Sequence, residues 1–164
     1  MATVMRRTYR EVLVVGDSGY IHKEFSVQYK STQKDTEMKK EFVDKDRLVS
    51  LEMWDTSGND DDLFCADCCV LVYDVNDKSS FDSLDSWRKR LLDQNWDIDR
   101  TKFPFILLGN KIDIDGGNSR SVSEKSAQDW CAAIGDIPYF ETSAKEDYNV
   151  DAAFLSAAKE DMFM

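Results

Sequence analysis

Asn110-Lys111-Ile112-Asp113 carries the most specific chemistry in this chain. A carboxylate such as that of Asp113 accepts two hydrogen bonds in one plane. Guanine presents a matching donor pair, N1–H and its 2-amino group, and adenine does not. The tetrapeptide closes the apolar run Phe103-Pro104-Phe105-Ile106-Leu107-Leu108-Gly109, which reads as a buried strand. It therefore lies at the carboxyl end of a strand, where open α/β sheets bind ligands. Alone the motif is short, and ordinary loop polarity is an equally good reading of it.

Three more clusters come after strand-like runs. Gly16-Asp17-Ser18-Gly19 is the front half of a phosphate loop, whose backbone N–H groups cradle phosphate. The places of the second Gly, the Lys and the Ser/Thr hold Ile21, His22 and Lys23, so a tight turn is the plainer reading. In Asp55-Thr56-Ser57-Gly58, the carboxylate can hold magnesium through water and the Gly58 amide can meet a terminal phosphate. In Glu141-Thr142-Ser143-Ala144-Lys145, backbone amides can meet a base oxygen, with Lys145 packing nearby. A common turn and a polar loop are the plain readings of these two.

The elements that must position these clusters alternate. Tyr9 to Val15 predicts a strand, and Met38 to Val43 with Leu48 to Trp54 predicts a hairpin turning at Asp44-Lys45-Asp46. Cys68 to Tyr73 predicts a core strand. Phe81, Leu84, Trp87 and Leu91 mark one amphipathic helix over Lys78 to Gln94, with serines at its start. Ser121-Val122-Ser123-Glu124 reads as a capping box before a helix carrying Ala127, Trp130, Cys131 and Ile134 on one side. Ile137 to Phe140 predicts a short strand. Asn149 can cap a last helix that turns Val150, Ala153, Phe154 and Ala157 inward. Such alternation predicts an α/β fold with a mostly parallel sheet covered on both faces and one antiparallel edge strand. No linker or repeat divides residues 1–164, so a single domain is expected.

Bulk properties narrow the function. The chain has 164 residues, 42% hydrophobic and 12% aromatic, enough for one core. A net charge of −11 opposes nucleic-acid binding, which needs a basic face, and adhesion to anionic membranes. No signal peptide is seen after Met1, and no apolar run spans a bilayer. Cys65-Ala66-Asp67-Cys68 has zinc-like spacing, but His22 is the single histidine and no second cysteine pair exists. Packing is the better reading of Cys65, Cys68, Cys69 and Cys131, and free thiols fit a reducing cytosol.

Together, in this order, the clusters resemble the Ras-like small GTPases, specifically Rabs of the late-endosomal and vacuolar branch. Trp54-Asp55-Thr56, Ala66 through Val75, Leu84-Asp85-Ser86-Trp87-Arg88 and Ile137 through Glu146 carry the resemblance. Asp115-Gly116-Gly117-Asn118-Ser119-Arg120 with Val122-Ser123-Glu124-Lys125 is similar to plant members. The resemblance implies a P-loop three-layer sandwich and a cytoplasmic, monomeric protein of vesicle trafficking that binds GTP or GDP with Mg2+. It assigns guanine to Asn110, Lys111, Asp113, Ser143, Ala144 and Lys145, phosphate to Gly16, Asp17, Ser18, Gly19 and Gly58, and metal to Thr32 and Asp55. Rab effectors and regulators would be its partners.

Departures concentrate at the phosphate end. Tyr20-Ile21-His22-Lys23-Glu24-Phe25 resembles the segment beyond the family's first helix, so a deletion has removed the lysine, the metal-binding hydroxyl and most of that helix. Asn59 stands where the water-positioning glutamine is usual, and Asp60-Asp61-Asp62-Leu63-Phe64 replaces most of the second-switch helix. The chain ends at Phe163-Met164 without prenylation cysteines, so no lipid anchor is expected. Each charge-assisted hydrogen bond lost removes about 1.5–3 kcal/mol, and every 1.4 kcal/mol is about tenfold in affinity. Weak or absent GTP binding and no hydrolysis are therefore expected. The alternatives are a non-switching pseudo-GTPase interaction module and the non-functional product of a damaged gene. A flavodoxin-like or receiver domain on a similar sheet would leave Asn110 to Asp113 without a role.

Overall fold

The computed structural model describes residues 6–16, 36–55, 66–95 and 97–159, with backbone alone at 36–38 and 55. Six strands form one sheet in the order β2-β3-β1-β4-β5-β6. These are β1 Arg6–Gly16, β2 Thr36–Asp44, β3 Arg47–Asp55, β4 Cys68–Asp74, β5 Phe105–Asn110 and β6 Tyr139–Glu141. Every neighbouring pair is parallel except β2 and β3, whose antiparallel register sets Asp44 opposite Arg47. The predicted α/β class and antiparallel edge are thus present.

Strand alternation sorts the apolar side chains into two cores. Val12, Val14, Leu51, Cys68, Val70, Ile106 and Leu108 share one face with Ala153, Phe154 and Ala157. Leu13, Val15, Cys69, Leu71 and Leu107 share the other with Leu84, Trp87, Leu91, Ala127 and Cys131. β4 and β5 bury side chains on both faces, which is why they read as continuous apolar runs. Fully burying one such side chain stabilises by about 1.5–3 kcal/mol.

The helices are α1 Lys78–Asp82, α2 Leu84–Gln94, α3 Glu124–Ala133 and α4 Val150–Ala158. The single helix predicted from Lys78 to Gln94 is interrupted at Ser83, whose hydroxyl donates to the Ser80 carbonyl at 2.9 Å. Asp77, rather than a serine, caps α1: its Oδ1 accepts from Ser79 N at 2.9 Å. The capping box predicted from Ser121 is not formed, and the helix cap falls two residues later. Ser123 is the cap and accepts from Ser126 N at 3.1 Å, while Ser121 N donates to the Val75 carbonyl. Asn149 precedes α4 with φ 61°, makes no side-chain cap, and donates Nδ2 to the Glu141 carbonyl at 3.0 Å. The last strand starts at Tyr139 rather than Ile137. Pro138 has no N–H to donate and enters the ladder through its carbonyl, which accepts from Leu107 N at 2.9 Å.

Candidate functional site

β5 carries Asn110 to the carboxyl edge of the sheet, where its side chain is fully buried. Asn110 Oδ1 accepts two hydrogen bonds, from Thr142 Oγ1 at 3.1 Å and Ala144 N at 2.9 Å. These tie the loop after β5 to the loop after β6. Asn110 Nδ2 is buried without an acceptor. An orphaned buried donor costs about 1–3 kcal/mol, so this atom is a place where a ligand acceptor gains affinity.

Lys111 comes next, in the left-handed region, φ 63°. That conformation costs a non-glycine residue on the order of 1 kcal/mol and is held by its surroundings. Its ammonium lies 3.1 Å from Asp74 Oδ2. Its carbonyl accepts from Asn76 Nδ2 at 3.1 Å. Asp74 Oδ1 in turn accepts from Asn76 N at 2.8 Å and Asn76 Nδ2 at 2.9 Å, and Ser119 Oγ donates to Asn76 Oδ1. Asp74 and Asn76 thus fix Lys111 from the end of β4. Their role was not readable in the sequence, because D-x-N after a strand is a common turn and Lys111 lies 35 residues beyond Asn76.

Asp113 is oriented by Ser143, whose hydroxyl donates to Asp113 Oδ1 at 2.6 Å. Ser143 Oγ also accepts from Glu146 N at 3.2 Å, and the Ser143 backbone pairs with Tyr148 in an isolated bridge. The structure therefore gathers Asn110, Asp113, Ser143 and Ala144 by direct hydrogen bonds. Lys145 is exposed on the turn beyond them. The Ala144 amide points at Asn110 Oδ1, so its use for a base oxygen requires sharing that proton.

Beneath this cluster runs a second polar network. Tyr73 and Tyr139 hydroxyls meet at 2.9 Å, and Tyr139 donates to Glu141 Oε1 at 2.8 Å. Arg120 grips the same carboxylate through both terminal nitrogens and donates Nε to the Val122 carbonyl at 2.7 Å. Burial pushes the Glu141 carboxyl up, but the hydrogen bonds from Arg120 and Tyr139 outweigh it and leave the group below its ordinary value. Burial pushes the Tyr73 phenol up to about 12. Both hydroxyls crowd Gly109: a Cβ there would meet them at 2.7 and 2.8 Å. Glycine at this position lets the tyrosines pass under the strand that presents Asn110.

At the phosphate side, Gly16 ends β1 opposite Val72, and a Cβ on it would lie 2.5 Å from the Val72 carbonyl oxygen. Close strand packing by itself requires glycine there. Asp55 ends β3, opposite Val14 and Thr36. Asp17, Ser18, Gly19, Thr32, Gly58 and Asn59 lie outside the described residues, as do both expected helix losses. Among the described residues no group of His, Cys, Asp or Glu is arranged to hold a metal ion. Cys68, Cys69 and Cys131 are buried free thiols, as the packing reading expects, and Cys65 lies outside the described residues. No helix among the described residues is long and apolar enough to cross a membrane.

A sequence profile of the Ras family matches residues 13–162. The Ras-related protein Rab7 of Glycine max is 57% identical over 173 residues, covering 96% of this chain and 84% of that protein. The Ras-related protein RABG3a of Arabidopsis thaliana is 52% identical over 175 residues, covering 97% of this chain and 84% of that protein. Both alignments are longer than the whole 164-residue chain, so each relative carries internal residues that this chain lacks.

Proposed function

The chain belongs to the Ras family, in its Rab7-like branch, and on that footing we propose a single-domain protein that retains guanine recognition while its phosphate and magnesium site is largely lost. The Asn110–Asp113–Ser143–Ala144 cluster carries this reading. Its hydrogen bonds order the loops after β5 and β6, and Asn110 Nδ2, buried without an acceptor, is a donor suited to a purine ring nitrogen or oxygen. Asp113 would receive the guanine N1–H and 2-amino donors, and Lys111 would pack its stem along the base. Lys145 would border the same pocket.

The opposing half is supported by the sequence alone. Gly16, Asp17, Ser18 and Gly19 lack the succeeding Gly-Lys-Ser/Thr, so few groups remain to neutralise a triphosphate. Magnesium, where bound, would offset phosphate charge, with Asp55 and Thr32 as its remaining candidates. Asn59 is one methylene shorter than the usual water-positioning glutamine. The resulting protein binds GDP or GTP weakly or not at all, does not hydrolyse GTP, and acts in endosome-to-vacuole traffic as a non-switching interaction module for Rab effectors or regulators.

Calorimetric titration of the full chain with GDP and with GTP, each with magnesium, tests this. Weak or absent heat is the expected result. Submicromolar, magnesium-dependent binding would overturn the proposal. A cooperative thermal transition in the same sample separates an interaction module from the product of a damaged gene, which would show none.

A further inference from the structure

At the end of the sheet away from the guanine cluster lies a cavity of about 740 Å³. That volume is in the range of small-molecule sites. It opens between the C-terminal ends of α3 and α4 and the segment leading into β5. Four cationic side chains line it, Arg88, Arg100, Lys102 and Lys159, against one carboxylate, Asp136. The chain as a whole has the opposite balance, 32 acidic to 21 basic residues. A local excess of cations around a concavity in an acidic protein focuses a positive field there.

Two of the four are already engaged. Arg100 pairs with Asp93, and Lys102 lies 3.9 Å from Asp99. Among the described residues no ion pair involves Arg88 or Lys159. The Arg88 guanidinium lies 5.6 Å from the centroid of the Phe105 ring, another wall of the cavity. Its Nε is buried and has no acceptor in the protein. Cations near helix C-termini are commonly explained by the helix dipole, and α3 and α4 both end here. The dipole accounts for a surface lysine such as Lys159. It does not account for Arg88, which lies in the body of α2 rather than at a helix C-terminus.

We propose that this cavity is an anion site that takes a phosphate group, held by Arg88 and Lys159 with Arg100 and Lys102 at its rim. Phosphate oxygens match the terminal nitrogens of the planar guanidinium fork. The phosphate can belong to a soluble phosphorylated molecule or to a lipid headgroup.

The test titrates the full chain with inorganic phosphate at constant ionic strength, following binding by calorimetry and by the rise in Tm. Arg88→Gln and Lys159→Gln are compared with Lys125→Gln, an exposed α3 lysine already paired with Asp129. Wild type and Lys125→Gln are expected to bind alike. Arg88→Gln and Lys159→Gln each weaken binding about tenfold, the scale of one charge-assisted hydrogen bond. If Arg88→Gln fails to fold, the exposed Lys159→Gln decides. A parallel arm sediments the protein with phosphatidylcholine vesicles, with and without phosphatidylinositol phosphate. Phosphate binding plus sedimentation only with the phosphorylated lipid identifies a headgroup. Phosphate binding without sedimentation identifies a soluble ligand. No phosphate binding by wild type, or binding unchanged in Lys159→Gln, overturns the proposal.

Discussion

Ser143 Oγ donates to Asp113 Oδ1 at 2.6 Å, closing a contact across 30 residues of sequence. It joins the loop after β5 to the loop after β6 at the carboxylate proposed to read guanine. Asn110 makes the companion link to Ala144, so two short motifs are locked as one unit before any ligand arrives.

Replacing Ser143 with Ala removes a hydrogen bond to a charged acceptor. The expected loss of stability is about 1.5–3 kcal/mol, read from the midpoint of urea unfolding at constant slope. Ser143→Thr keeps the hydroxyl and is expected to recover part of it. Equal losses in the two variants would assign the effect to packing.

Gly109→Ala forces a methyl group against the Tyr73 and Tyr139 hydroxyls. Overpacking of this kind costs about 1–3 kcal/mol. Removing one hydroxyl with Tyr139→Phe should make the double variant less unstable than the two single losses added together. Strict additivity in the thermodynamic cycle would contradict the crowding seen here.

The Glu141 carboxyl is held below its ordinary value of 4.5. A group lowered on folding contributes stability that is fully present above its unfolded value and is lost as pH falls through its native value. Acid titration of wild type should therefore show a loss of stability below pH 4.5 that is shallower in Glu141→Gln. Parallel curves for the two proteins would remove Glu141 from the acid response.

Burial pushes the Cys68 thiol up to about 12 and Cys131 up to about 11, and raises Cys69 well above its ordinary value. Thiolate is the reactive form. In a Cys65→Ser background, a disulfide reagent should label these three thiols no faster than the protein unfolds. Rapid labelling of the native protein would show that one of them is exposed.

Phe154→Ala empties part of the core between α4 and the sheet, where Phe154 is 3% exposed. Such truncations cost about 3–5 kcal/mol, a large share of the about 5–15 kcal/mol that holds a domain. Thermal unfolding should shift strongly down. An unchanged Tm would mean that α4 is not integral to this core.

Sequence reading recovered the features that local pattern encodes. Alternation and short apolar runs placed β1 to β5, the runs marking β4 and β5, and the 3.6-residue spacing of Leu84, Trp87 and Leu91 found the buried face of α2. It missed the features that depend on competing hydrogen bonds. Ser83 interrupts a helix by bonding back to Ser80, and Asp77 outcompetes the serines as a cap. In the site, Asn110 and Asp113 were legible because their spacing is itself chemical information. Asp74, Asn76 and Gly109 were not, since each acts on a residue that only the fold brings near.

Gly16 marks a boundary as well as a strand end. It pairs with Val72 at the end of the β1–β4 ladder, where a side chain would not fit. Among the described residues, the cluster proposed to read guanine takes its geometry from β4, β5, β6 and the turns beyond them. The proposed base-reading loops are thus hung from the β4–β6 side of the sheet, like one jaw of a clamp fixed to its own frame.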